Sequence, residues 1–208
     1  MISLKLIQSI FFFNYSFKKA ILIAARNLPD ANGNRLIKEY QLMKKIKGSQ
    51  RIQSFGHWFM MRLTKKSLLL FMAAQKAGLT KDEAYQLTEN VVWKIAQPLG
   101  IALNQLTYFV RSTPAKRIAY INQILWNLLW TAPFKRENIK SKGGVYSFDV
   151  IQCPVSDYLK RNNAAQLCTV AFCNADYKLA AQWSTVFKRE NTLVTGCSKC
   201  DFKFITHS

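Results

Sequence analysis

The hydrophobic pattern of this chain changes period at Gly143-Gly144, and that switch limits the folds open to it. Before the glycine pair, apolar residues recur at helical spacing. Ile118, Ile121, Leu125, Leu128 and Leu129 form one such face, with Asn122, Gln123 and Asn127 opposite. After it, Tyr146-Ser-Phe-Asp-Val-Ile-Gln alternates or is β-branched, the two-residue period of a half-buried strand. A chain that is helical first and stranded last reads as α+β. The expected architecture is a helical N-terminal region packed on a C-terminal module, in which a small antiparallel sheet carries helices on one face. With 208 residues, half of them apolar and 13% aromatic, the chain can bury a substantial core, and its composition excludes disorder.

Three segments follow from the punctuation. Residues 1–50 read as a basic, apolar helical segment, 51–142 as a helical region, and 143–208 as a cysteine-bearing α+β module continuous with 51–142. Pro29, Asp30, Asn32 and Gly33 mark a turn-rich break before a basic helix over 35–47, ended by Gly48-Ser49. A helix over 59–77 stops at Gly78. Thr80-x-x-Glu83 is a capping-box signature opening a helix over 81–97, which Pro98 and Gly100 close. Further helices are expected over 103–110 and 115–130. In the last segment a strand runs into Cys153-Pro154, helices cover 155–167 and 169–184, and strands over 186–194 and 200–205 meet at a tight turn holding Gly196. This makes a three-stranded sheet.

Charge divides the chain at nearly the same place. Of a formal net charge of +19, residues 1–147 carry 23 Lys/Arg against 6 Asp/Glu, and residues 148–208 carry 7 against 5. The basic part can attract phosphate-rich partners, either an anionic membrane or nucleic acid. Residues 65–77 and 80–97 have helix–turn–helix proportions, but Asp82 and Glu83 in the second helix's first turn would face DNA phosphates. An ordinary helical hairpin is preferred, and nucleic-acid binding is disfavoured.

The uncharged stretch 6–17, followed by Lys18-Lys19 and the apolar run 20–25, is too short to span a bilayer. It suits an amphipathic helix on the protein's own core or on a membrane surface. The uncharged runs 95–110 and 118–134 contain Asn, Gln, Thr and Pro and read as buried helix faces. Trp126, Trp130 and Lys135-Arg136 would also suit a membrane interface. The expected partners are a small-molecule substrate and, through the basic N-terminal region, an anionic membrane touched peripherally. The expected location is the cytoplasm, with membrane association as an addition.

All five cysteines, Cys153, Cys168, Cys173, Cys197 and Cys200, fall in the last segment. An odd number points to reduced thiols, a metal site or a catalytic thiol rather than a disulfide framework. Cys168, Cys173, Cys197 and Cys200 could together form a structural zinc site. Otherwise no cofactor is expected. Cys173-x-x-Asp176 puts a thiol and a carboxylate on one helix face, a pairing suited to nucleophilic attack with proton transfer. His57 reads as a packed neighbour of aromatic residues and His207 lies at the chain end, so a serine–histidine triad is excluded. There is no phosphate-cradling glycine loop.

The series Cys153-Pro154, Tyr158, Leu167-Cys168, Phe172-Cys173-x-x-Asp176, Phe187-x-Arg189-x-x-Thr192-Leu193-x-x-Gly196-x-x-x-Cys200-Asp201-Phe202 resembles the L-2-amino-thiazoline-4-carboxylic acid hydrolase family. Ala77-Gly78 to Ala84 is loosely similar as well. The resemblance implies hydrolysis of a cyclic, amidine-like C–N bond in a thiazoline, giving a carbamoyl cysteine. It implies Cys173 as nucleophile or ligand, Asp176 as proton handler, and Cys153 and Cys200 as pocket lining. Arg189 would bind a substrate carboxylate, and Thr192 and Tyr158 would supply hydroxyl hydrogen bonds. Cys197 departs from the pattern, which leads one to expect an acidic or polar residue there. Two other readings stand beside the hydrolase: a non-catalytic ligand- or zinc-binding module of the same fold, and a basic membrane-surface or nucleic-acid-binding protein whose cysteines are structural.

Overall fold

A computed structural model of the chain describes residues 4–43, 53–110 and 113–206. Helices α1 (Leu4–Arg26) and α2 (Asp30–Met43) come first. The expected break at 29–34 is shorter than the sequence suggests, because α2 begins at Asp30 and runs straight through Gly33. The N–H groups of Asn32 and Gly33 donate to the Pro29 carbonyl at 2.9 and 3.0 Å, which closes the first turn. Gly33 is there for closeness rather than for bending. A Cβ at this position would lie 2.5 Å from the Ala25 carbonyl oxygen of α1. The expected continuation of this helix to 47 lies outside the described residues.

Helix α3 (Phe55–Lys76) is capped by Ser54, whose hydroxyl accepts the His57 N–H at 3.0 Å, and ends ahead of Gly78 at φ +100°. The capping box forms as read. Glu83 Oε2 accepts the Thr80 N–H at 2.7 Å, and Thr80 Oγ1 accepts the Glu83 N–H at 3.3 Å. Helix α4, however, does not stop at Pro98; it spans Lys81–Val110 and absorbs the separate helix expected over 103–110. Pro98 sits on the exposed side, where the carbonyl it leaves unpaired can meet water. Beyond it the helix is pinned from the far end of the chain. Trp183 Nε1 donates to the Gly100 carbonyl at 3.1 Å, and Asn104 Nδ2 donates to the Gln182 carbonyl at 3.0 Å. Helix α5 (Pro114–Leu128) follows.

The sheet has four antiparallel strands, not three, in the order β1-β2-β4-β3. These are β1 (Lys135–Lys142), β2 (Val145–Gln152), β3 (Val186–Lys188) and β4 (Cys200–Ile205). Strand β1 was illegible because it is an almost wholly exposed, polar edge with no alternating apolar face. The strand expected over 186–194 ends at Lys188, and Leu193–Thr195 forms a single 3₁₀ turn. Between β2 and β4, Val150 opposes Cys200, Phe148 opposes Phe202 and Tyr146 opposes Phe204, so one face carries a continuous apolar ladder. That face meets the helices.

Between β2 and β3 the chain forms α6 (Pro154–Arg161) and α7 (Ala165–Cys168). From α7 a π turn (Thr169–Cys173) leads directly into α8 (Asn174–Gln182). The expected boundary between two helices near 168 therefore moves to 162–164. One cluster of buried side chains joins Phe17, Leu36, Leu70 and Val91 to Leu159, Leu167 and Val194, so the N-terminal helices and the C-terminal module share a core. Among the described residues, no helix is long and apolar enough to cross a membrane.

Candidate active site

A cavity of about 1170 Å³, its mouth included, lies between the helical face of the sheet, helices α3 to α5, and the α7–α8 run. Each wall follows from a local pattern. Phe148 and Val150 enter from β2, and Cys200 and Phe202 from β4, because alternate residues of those strands share a face. Cys153 sits at the N-cap of α6, where Pro154 occupies the first helical position. Cys173 closes the π turn and Asp176 stands in the first turn of α8. A π turn inserts one extra residue into the helical register and is frequent where a helix presents functional groups.

Asp176 and Arg189 form the polar end. Arg189 Nη1 donates to Asp176 Oδ2 at 2.7 Å and Nη2 donates to the Cys173 carbonyl at 3.0 Å. The Arg189 side chain is only 4% exposed, and its guanidinium lies 5.3 Å from the ring centre of Phe202 and 5.4 Å from that of Phe187. Burial pushes the Asp176 carboxyl up to about 6, while Arg189 holds it down from rising further. The pair is thus ionic at neutral pH, and Asp176 takes up a proton in mildly acidic solution.

The four cavity thiols are not equivalent. A hydrogen bond from the Cys168 thiol holds Cys173 below the ordinary thiol range against the opposing effects of burial and Asp176, with Arg189 adding to the lowering. The same hydrogen bond, with burial, pushes Cys168 well up. Burial raises Cys153 to about 12 even though the Ser156 and Val155 N–H groups point at its sulfur. Cys200 rises to about 11, again through burial, while its sulfur accepts the Leu193 N–H at 3.2 Å. Cys173 is therefore the thiol that ionises first among these four. Iodoacetamide at neutral pH is expected to label Cys173 ahead of Cys153, Cys168 and Cys200, as followed by peptide mass mapping over time. Equal labelling rates would remove the distinction.

Of the residues singled out from the sequence, Cys173, Asp176, Arg189, Cys153, Cys200 and Cys168 all line this one cavity. Tyr158 and Thr192 are not among its lining residues. Val155 and Leu159 turn the inner face of α6 into the core, which leaves Tyr158 half-buried beside Lys65, whose Nζ lies 5.8 Å from the ring centre. The Thr192 hydroxyl, at the N-cap of the 3₁₀ turn, is 2.9 Å from that of Thr195. Cys197 follows that turn with its sulfur 3.7 Å from Thr195 Oγ1, and it is not among the cavity's lining residues. Among the described residues, no group of three or more His, Cys, Asp or Glu side chains is arranged to hold a metal ion. His57 is buried at the start of α3, where burial and then Lys65 lower its pKa, and it is not among the cavity's lining residues. His207 lies outside the described residues.

The sequence reading missed the aromatic walls. Trp126 of α5 and Trp130, just beyond its end, read as a core face or a membrane interface, line the cavity with Phe59, Phe172 and Trp183. Arg136 of the unforeseen strand β1 lies 4.7 Å from the Trp126 ring centre and donates to the Tyr146 hydroxyl at 3.0 Å, fixing that wall from outside. The four-residue spacing of Trp126 and Trp130 was the available signal, but spacing cannot say what a helix face looks onto.

A profile of the L-2-amino-thiazoline-4-carboxylic acid hydrolase family matches residues 59–204, well over half of the chain. The match begins in α3 and ends in β4, so it takes in every wall of the cavity. No curated protein and no solved structure matches the chain.

Proposed function

The chain belongs to the L-2-amino-thiazoline-4-carboxylic acid hydrolase family, and on that premise we propose that it hydrolyses the C–N bond of a cyclic amidine of the thiazoline type, with Cys173 as nucleophile and Asp176 as proton carrier. The observation that carries this reading is the convergence of a low-lying thiol and a buried carboxyl titrating near 6 on one cavity. A carboxyl that titrates close to neutrality can both take and give a proton during turnover.

Asp176 accepts the Cys173 thiol proton, and the thiolate adds to the amidinium carbon of the substrate. Asp176 then returns a proton to the ring nitrogen, the C–N bond breaks, and the nitrogen leaves as an amine on the same molecule. The remaining iminium carbon keeps the exocyclic nitrogen and is bonded to two sulfurs, the substrate's own and that of Cys173. Water adds to it and gives one proton to Asp176. The bond to Cys173 breaks, Asp176 reprotonates the departing thiol, and the hydroxyl proton goes to solvent. A carbamoyl group remains on the substrate's sulfur. The net change is addition of one water.

In this scheme Arg189 is a positioning residue. Two of its N–H groups hold Asp176 and the Cys173 backbone, so it fixes the nucleophile and the proton carrier relative to one another. The test is to mix the protein with a slowly turning-over 2-amino-thiazoline, quench in acid and measure the intact mass. The expected species is heavier by the whole substrate, with the added mass mapped to Cys173. Turnover without any adduct on Cys173 under single-turnover conditions would rule out the covalent route.

A further inference from the structure

The cavity's lining is poorly matched to a small ionic molecule such as an amino-acid-like thiazoline carboxylate. Its charged side chains, among the described residues, are Asp176 and Arg189, and these neutralise each other at 2.7 Å. The Arg189 fork is already engaged by Asp176 and the Cys173 carbonyl. A substrate carboxylate would have to compete with a buried internal ion pair, a costly exchange in a desolvated site. Beyond that pair, the thiols and the indole N–H groups, the surface is apolar: Trp126, Trp130, Phe148, Phe172 and Phe202 stand with aliphatic residues of α3 and α4.

Leu99 lines the cavity and is also exposed, which places it at the rim. Leu106, two turns further along the same face of α4, is exposed as well. Apolar surface thus continues outward from the cavity along α4. A rim that admitted small polar solutes would gain nothing from this.

We propose that the ligand of this site is a bulky apolar molecule, with an extended hydrocarbon or aromatic body and a single polar C–N group directed at Cys173 and Asp176. The inference rests on the same cavity as the proposed hydrolysis and concerns what fills the rest of it. Each methylene moved from water into such a cavity strengthens binding by up to about fourfold.

The experiment uses the full chain and 2-amino-thiazolines carrying n-alkyl groups of increasing length on a ring carbon, with the 4-carboxylate as the polar comparison. Binding is read by quenching of tryptophan fluorescence, and turnover is read separately by mass spectrometry. Affinity is expected to rise two- to fourfold per methylene over the first several carbons, and the carboxylate is expected to bind more weakly than any long-chain analogue. Ala96→Trp, which fills the cavity, should abolish the chain-length gain. Leu99→Asp at the exposed rim should weaken the long-chain probes at least tenfold without unfolding the protein. Affinity independent of chain length, tighter binding of the carboxylate, or a chain-length gain that survives both substitutions would each overturn the proposal. Long-chain amidines that bind in the cavity without being opened would leave this inference standing and defeat the hydrolytic one.

Discussion

Replacing Cys173 with alanine is expected to lower turnover of a cyclic amidine by about a thousandfold or more while leaving the fold intact. The activity loss follows from the chemistry proposed: without the sulfur there is no covalent intermediate, and a single difficult hydrolysis replaces two easier steps. The fold should survive because Cys173 already borders open space, so removing one sulfur enlarges an existing cavity instead of opening a void in solid packing. Thermal melting followed by circular dichroism checks the second half of the expectation. Cys173→Ser sharpens the first, since a hydroxyl of nearly the same shape keeps the geometry but ionises far less readily. Wild-type kcat in the alanine protein would end the nucleophile assignment. A change confined to KM would make Cys173 a wall of the site and nothing more.

Arg189→Met is expected to be the most destabilising single change in the module, at about 3–5 kcal/mol near neutral pH. The side chain is almost fully buried, and its removal leaves the Asp176 carboxylate without its partner in an apolar enclosure. Methionine keeps much of the volume, so the loss reports the charge more than the packing. The pH dependence identifies the cause. Asp176 already titrates near 6, above the 3.8 of an ordinary aspartate, because burial outweighs the arginine. Without Arg189 its folded-state value rises further. A carboxyl raised in the folded state holds its proton more tightly there than in the unfolded chain, so stability grows as pH falls from above the folded value towards the unfolded one. The Arg189→Met protein should therefore regain stability on acidification from pH 7.5 towards pH 5, in chemical denaturation midpoints. Adding Asp176→Leu should restore much of the loss at neutral pH. A destabilisation that does not depend on pH would mean that Arg189 acts through its stacking on Phe187 and Phe202, not through the ion pair.

The site was partly legible because its polar members lie close together in the chain. Cys173 and Asp176 are separated by one helical turn, a strand over 200–205 was readable beside the tight turn at Gly196, and six of the residues singled out meet in one cavity. Tyr158 and Thr192 belong to the same stretch of sequence yet face elsewhere. Proximity along the chain does not fix direction: on α6 a one-residue step rotates a side chain by about 100°. The two positions either side of that difference, Leu159 in the core and Tyr158 beside Lys65, show the effect.

Local signals decided the class of fold, the capping box at Thr80 and Glu83, strand β2, and the segment that supplies the cavity's thiols and its Asp176–Arg189 pair. Those features depend on a few neighbouring residues whose propensities agree with one another. Contacts across the chain decided the rest. Helix α4 passes Pro98 because Trp183 and Gln182 anchor its far half, and β1 exists because β2 offers it an edge. Aromatic side chains from α5 and the sheet become the walls of a cavity only when the two layers close on each other. A hydrophobic period says that a face will be buried; what it is buried against, and whether space is left between, depends on the partner surface.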